Sequence, residues 1–462
     1  MIRKREMMIS FKLHMLSALA LGFFLSASLG QAETAKQPNI LIVIADDLNK
    51  DSVGVYGNKD VKTPNIDRLA SQGMRFNLTY TSTAMCAPTR QQMYTGLYPV
   101  RSGAYPNHSK VKPVTKSLVH YLKALGYRVG LSGKRHFGPP ASFPFEQISN
   151  KVNPEAIREF IARDKVQPFC LLVTSNSPHV PWSAGDASQY DPAKLTIPPY
   201  WVDSPEMRES LTRYYAEITD LDREVGECLK ILHETKQEEN TAMIFTTEQG
   251  AQYPGCKWTC YENGLNVGFI VRWPGQVKPG SVSDAMIHYV DVAPTLVEMA
   301  GGQAVKGLDG RSFLGVLQGK TKRHNSETYG VHTQMNAIGS PPTGYAVRSI
   351  RAGKWKYIMN LNHTVMFNNA LTKNDKENYW ASWVRAAKTD PKAARLVERY
   401  LNRPAEELYD LSKDPHELNN LAGREKQAKV KARLKHQLED WMAGQGDLGQ
   451  ATEMAAKRNR RR

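Results

Sequence analysis

The chain has 462 residues, of which 41% are hydrophobic and 23% charged, with 33 glycines and 26 prolines. That composition excludes collagen-like, coiled-coil and wholly disordered chains. It suits either about three domains of roughly 150 residues or a large α/β unit with one smaller domain. The formal charge is +16, but part of it sits at the two ends. Arg3, Lys4, Arg5 and Lys12 outweigh Glu6 at the start, and Lys457, Arg458, Arg460, Arg461 and Arg462 crowd the last residues. The body between carries about half of the formal excess, which suits an acidic partner. No helix-turn-helix, zinc-finger or aromatic RNA-binding pattern accompanies it, so nucleic acid is excluded in favour of an anionic polysaccharide.

In chain order, residues 1–32 come first. A basic start, an apolar run over 15–29 and Gly30-Gln31-Ala32 read as a signal peptide cut after Ala32, giving a periplasmic or secreted protein. The run is short for a bilayer span and is broken by Ser17, Ser26 and Ser28, so no stable membrane insertion is expected. Residues 39–45, NILIVIA, form a continuous apolar, β-branched run, as in a parallel strand buried on both faces, and end in Asp46-Asp47. Helical patterns follow over 65–70 and 90–95, separated by a Thr-rich loop that holds Cys86, and again over 114–125. A strand over 127–131 ends at Ser132-Gly133-Lys134, and a helix covers 154–163. The strand at 169–173 leads to His179. A long helix takes 205–235, the strand at 242–245 runs into Glu248-Gln249, another strand covers 268–271, and a helix takes 291–300. This alternation implies a large mixed, mainly parallel sheet sandwiched by helices. From about residue 331 strands at 346–351 and 354–361 and a helix at 425–442 predict a smaller C-terminal α+β domain with an antiparallel sheet, extending to 450. Residues 451–462 read as a basic disordered tail. The expected organisation is therefore signal peptide 1–32, catalytic domain 33–330, subdomain 331–450 and tail 451–462.

In parallel-sheet folds ligands bind beyond the carboxyl ends of the strands. Asp46, Asp47, Lys134, His136, His179, Glu248 and Gln249 all fall there, from four separate strands. Adjacent aspartates at a buried strand end repel unless a cation lies between them, and carboxylate and amide oxygens are what Ca²⁺ takes. Any one of these residues alone is more simply a cap, a core histidine or a solvated lysine; together they point to one site. Of the five cysteines, Cys170 and Cys228 fall in core patterns, and Cys256 and Cys260 flank Lys257, either as a disulfide or as two packed thiols.

Cys86 opens Cys-Ala-Pro-Thr-Arg, with Thr95-Gly96 a helix length later. With NILIVIADD before it, TPNIDRLASQGMRF between and GYRVGLSGKRHFG after it, the chain resembles the formylglycine-dependent sulfatases, alkaline-phosphatase-like in fold. GKRHFGPPASFPFE and ELYDLSKDPHE are similar to the N-sulfoglucosamine sulfohydrolase branch. The resemblance implies that a maturation enzyme converts Cys86 to formylglycine, whose hydrate attacks sulfur with one hydroxyl and expels sulfate with the other. It implies that Arg90 stabilises this group, Lys134, His136 and Lys257 grip the sulfate, and His179 protonates the leaving atom. Asp46, Asp47, Glu248 and Gln249 would hold Ca²⁺. Glu248 departs from the family's aspartate by one methylene, so the metal site is expected to be adjusted. The resemblance predicts hydrolysis of O-sulfate esters of a sulfated polysaccharide or its oligosaccharides. The alternatives are N-sulfate cleavage by a sulfamidase, a phosphonate or phosphodiester hydrolase, and an inactive polysaccharide-binding homologue.

Overall fold

The computed structural model describes residues 37–333, 345–373, 377 and 379–460; the expected signal peptide and residues 334–344 lie outside them. The first strand, β1 (Asn39–Ala45), is buried along its whole length. It lies between two parallel strands with no register shift: Ile42 is level with Leu172 on one side and with Ile244 on the other. Its apolar run is continuous because each face meets a different core. Leu41, Val43 and Ala45 pack in one hydrophobic cluster, Ile40, Ile42 and Ile44 in another.

The remaining strands of this sheet are β2 (Met74–Tyr80), β3 (Arg128–Gly133), β4 (Glu146–Ser149), β5 (Phe169–Thr174), β6 (Thr241–Thr247), β7 (Asn266–Arg272), β8 (Ser281–Ser283) and β9 (Ile287–His288). Their order is β4-β3-β5-β1-β6-β7-β2-β8, with β9 also on β2. Only β7 runs against the rest, antiparallel to both β6 and β2. Sequence patterning missed β2, β4, β8 and β9. The last three are short, and β2 alternates buried with half-buried residues rather than presenting an apolar run.

Helices cover both faces. They are α1 (Pro64–Ser71), α2 (Cys86–Thr95), α3 (Leu118–Ala124), α4 (Pro154–Ala162), α5 (Pro205–Glu234) and α6 (Val292–Met299). Ile157 and Phe160 of α4 and Leu211, Tyr214 and Val225 of α5 fill one core; Leu118 and Leu122 of α3 and Leu296 of α6 fill the other. At 30 residues, α5 spans about 45 Å. Ser204 caps it by accepting a hydrogen bond from the Met207 amide. Two helices differ from the sequence pattern. α2 starts at Cys86 rather than at Arg90, because Pro88 falls in the first turn, where a missing N–H is tolerated. α3 begins only at Leu118, after a Ser117–His120 capping box, and Val114 stands exposed in the left-handed region.

A second sheet is antiparallel, in the order β10 (Glu327–His332), β11 (Val347–Ala352), β12 (Trp355–Asn360) and β13 (Glu406–Asp410). Leu434, Leu438 and Met442 of α7 (Ala428–Gln445) pack on its Ile350, Tyr357 and Leu408. The chain does not then trail off as the expected disordered tail. It forms α8 (Gln450–Arg460), in which Ala456 packs with Val100, Tyr105 and Val331, and the Tyr105 hydroxyl donates to the Thr452 carbonyl. The terminal basic run hid an apolar contact made one turn earlier. Among the described residues no helix is long and apolar enough to cross a membrane.

The two sheets meet at Glu262. Its carboxylate accepts from Arg351 at 2.7 Å, Lys356 at 3.1 Å and the Tyr80 hydroxyl at 2.7 Å, and all four side chains are buried. Replacing Glu262 by alanine removes the carboxylate that two buried cations hydrogen-bond, leaving Glu417 as the nearby counter-charge, an effect of about 3–5 kcal/mol. Glu262→Ala is therefore expected to lower the melting temperature by several degrees or more in calorimetry; an unchanged Tm would show that the two sheets are not coupled through this residue.

Candidate active site

The carboxyl ends of β1, β3, β5 and β6 are stitched together by backbone hydrogen bonds. The Ser175 amide donates to the Ile44 carbonyl at 3.0 Å, Glu248 to Ala45 at 2.9 Å, Lys134 to Thr174 at 3.0 Å and Asp46 to Ser177 at 3.1 Å. Each bond carries the sheet register one or two residues into a loop, so the functional side chains emerge from rigid backbone. Asp47 takes φ 59°, which turns the chain sharply after Asp46. The loop of His179 is further anchored from α5: the Glu217 carboxylate accepts from the Ser177 hydroxyl at 2.8 Å and the Ser183 amide at 2.9 Å.

Asp46, Asp47, Glu248 and Gln249 are wholly buried. The three carboxylates face three cations. Lys134 pairs with Asp46 and Lys257 with Asp47. Arg90 grips Glu248 with both nitrogens, Nε to Oε1 at 2.8 Å and Nη2 to Oε2 at 3.3 Å, and lies 4.0 Å from Asp46. Burial works against the charge on Arg90, but Glu248 prevails and holds its pKa above the ordinary value. Burial also opposes ionisation of Asp46; Lys134 above all, with Glu248 and Arg90, brings its pKa well below the carboxylate range. Glu248 goes the other way, raised by burial and by Asp46 despite Arg90. Two carboxyl groups this close sit on opposite sides of their ordinary value, as expected where like charges share a site.

Cys86 lies inside this cluster at the first position of α2, 2% exposed. Its sulfur is 3.5 Å from Asp46 Oδ1, 3.7 Å from Asp47 Oδ1 and 3.5 Å from Gln249 Nε2. Burial pushes the thiol up to about 11; Lys257 and Lys134 pull it down while the two aspartates add to the rise. The unmodified side chain is thus a poor thiolate nucleophile near neutral pH. Arg90 follows one helical turn later, which places its guanidinium beside the sulfur on the same face of α2.

Lys257 is 2% exposed, and its ammonium lies 4.9 Å from the Trp258 ring centroid. Cys256 and Cys260 are free, buried thiols rather than a disulfide. The loop between them is held instead by backbone bonds to other segments, the Lys257 amide donating to the Ala251 carbonyl and the Trp258 amide to that of Ala84, which borders the Cys86 segment. His179 Nε2 is 3.5 Å from Asp47 Oδ2, with the side chain about one-third exposed. His136 is half-buried; burial first, then Lys134, His108 and Arg90, lower its pKa to about 3, so the ring is neutral. All ten residues singled out in the sequence therefore converge on one place. His108 was missed. It approaches His136 across the fold, Nδ1 to Nε2 at 2.8 Å, and nothing in its local sequence announces that pairing.

The donor set suits a hard divalent cation. Asp46 and Glu248, and separately Asp47 and His179, each bring ligand atoms within 4.8 Å of one another around Cys86. Gln249 Nε2 donates to Asp47, while its Oε1 is buried with no partner among the described residues. An orphaned amide oxygen beside three carboxylates fits a ligand to an ion of this kind.

The family model described as sulfatase matches residues 38–146 and 138–302, and that of the N-sulphoglucosamine sulphohydrolase C-terminal region matches 256–384. An ulvan-active sulfatase of Formosa agariphila is 34% identical over 426 residues, 90% of this chain and 82% of that protein. The N-sulphoglucosamine sulphohydrolase of Homo sapiens is 26% identical over 459 residues, 88% and 90% of the two chains. A solved structure of a protein bound to its substrate D-glucosamine-2-N,6-O-disulfate shares the fold, with a TM-score of 0.68 at 20% identity over 89% of this chain and 99% of the other. With a family model over more than half its length and a relative 34% identical across nine-tenths of it, the chain belongs to the sulfatase family, enzymes that hydrolyse sulfate esters.

Proposed function

We propose that this sulfatase is an exported enzyme, periplasmic or secreted, that removes O-sulfate groups from a sulfated polysaccharide or its oligosaccharides. A formylglycine made from Cys86 by a maturation enzyme would be the nucleophile, with one Ca²⁺ beside it. The observation that carries this reading is the position of Cys86: a buried sulfur between two aspartates at a helix start, too basic to serve as a thiolate. A polysaccharide substrate is supported by the ulvan-active relative and by the basic body of the chain. A second reading, N-sulfate cleavage, is favoured by the match of 256–384 to the N-sulphoglucosamine sulphohydrolase C-terminal region.

In this reading Asp46, Asp47, Glu248 and Gln249 hold the calcium, which would offset the sulfate charge and lower the energy of the transition state. Arg90, kept cationic by Glu248, stabilises the charge that develops at residue 86. Lys134 and His136 bind the sulfate from the β3 side, and Lys257 from the opposite loop. Each lysine now neutralises one aspartate, and a cation at those aspartates would release both ammonium groups to the sulfate. His179, with its side chain about one-third exposed, protonates the departing oxygen of the sugar.

Peptide mass spectrometry of protein from a host that matures sulfatases is expected to find an aldehyde at residue 86, with sulfate released from at least one member of a sulfated-saccharide panel. Cys86→Ala should lower that release on the order of 10³-fold or more. An unmodified thiol without turnover would sink the reading and leave a binding protein. Calcium at 100 times its Kd should stabilise the fold by about 2.7 kcal/mol, read as a rise in Tm. Glu248→Gln should shrink that rise; an undiminished shift would remove Glu248 from the ligand set.

A further inference from the structure

The reading above uses His136 and leaves His108 without a role. The two rings lie with centroids 4.7 Å apart, tilted by 39°, and His108 Nδ1 is 2.8 Å from His136 Nε2. This meeting is built rather than incidental. Gln91, wholly buried next to Arg90 on α2, joins the two segments. Its Nε2 donates to the Ser109 carbonyl at 3.0 Å, and its Oε1 accepts from the Val111 amide at 3.1 Å and the Gly138 amide at 3.3 Å. The Val111 amide also donates to the Gly138 carbonyl at 3.0 Å. Asn107 Oδ1 accepts from the Ala87 amide at 3.2 Å, which ties the same loop to the residue after Cys86. Both histidines pay a conformational penalty to meet, with φ 61° at His108 and 48° at His136. Two adjoining non-glycine residues in the left-handed region mark a contact that the surrounding structure enforces.

The hydrogen bond has a consequence for chemistry. His136 is neutral, so only one of its nitrogens carries a hydrogen. Its Nε2 faces His108, and its Nδ1 is buried with no partner among the described residues. If Nε2 donates to His108, Nδ1 is a bare lone pair. If His108 donates, Nδ1 carries the hydrogen. A sulfate group offers only acceptor oxygens, so the first arrangement sets lone pair against lone pair and the second makes a hydrogen bond to an anion.

We propose that His108 is a positioning residue that donates its Nδ1 hydrogen to His136 Nε2 and thereby fixes His136 as the Nδ1–H tautomer, a hydrogen-bond donor to the sulfate. The inference rests on the assignment of His136 to sulfate binding. No proton changes hands in the reaction through this pair; the step is one of orientation. It also ties the 104–111 loop to the orientation of His136.

The side-chain nitrogen of asparagine takes nearly the place of histidine Nδ1, and asparagine tolerates the left-handed backbone. His108→Asn is therefore expected to keep kcat/KM within about threefold of wild type, and His108→Ala to lose roughly 10–100-fold, the usual range for removing an orienting partner. Nitrogen-15 spectra of histidine-labelled protein with inorganic sulfate should show His136 protonated at Nδ1 in wild type and His108→Asn, but not in His108→Ala. Equal losses in the two variants, an unimpaired His108→Ala, or a sulfate-bound wild type protonated at Nε2 would each overturn the proposal. The spectra need no turnover. A wild type that binds sulfate with His136 as Nδ1–H yet releases none from any substrate would contradict the enzymatic reading and leave this one standing.

Discussion

Everything around the site follows from placing three carboxylates, Arg90 and Lys257 where water does not reach, with Lys134 at the edge. Moving any one of these charges out of water carries a penalty of several kilocalories per mole even after relaxation. The set survives because each member has an opposite partner at contact distance: Lys134 on Asp46, Lys257 on Asp47 and Arg90 on Glu248. The partners come from different loops, so the loops are fixed by the charges they carry. Removing one ion would unbalance its partner and loosen the loop that presents it.

That arrangement needs a rigid frame, and the frame is β1. Both its faces are committed to separate apolar cores, so polar side chains emerge only where the strand ends. The hydrogen bonds from Ser175 and Glu248 to the last carbonyls of β1 bring the ends of β5 and β6 to the same level, and Lys134 joins through Thr174. Helix α5 contributes twice, through Leu211 and Val225 in the core and through Glu217 under the His179 loop. Helix α5 thus supports the core and the site through different side chains.

How much of this could be read from the chain depended on the kind of signal. The apolar run at 39–45 gave β1 and its position because a strand buried on both faces has no other composition. That ten residues would come together was legible because seven of them follow such runs, while Cys86, Arg90 and Lys257 belong to the segments that carry the family resemblance. β2 was not, since its alternating burial leaves no block of apolar residues. α8 was not, because its apolar contact is small and lies next to five basic residues. The Gln91 bridge and the His108–His136 pair were invisible for a different reason. They depend on loops that approach through tertiary folding, and glutamine or histidine in a loop carries no spacing that marks a partner.

Glu248 shows how one methylene redistributes a site. The glutamate engages the guanidinium with both oxygens and remains close enough to Asp46 for their charges to interact. A longer arm is also more adaptable, able to give up one hydrogen bond to Arg90 and turn an oxygen toward an ion. The neighbouring Gln249, whose carbonyl oxygen has no partner among the described residues, has the same freedom, since turning over its amide would exchange a donor for an acceptor. Glu248 and Gln249 are therefore the pair best able to rearrange, and in the proposed metal site the aspartate pair at the end of β1 would be the fixed part.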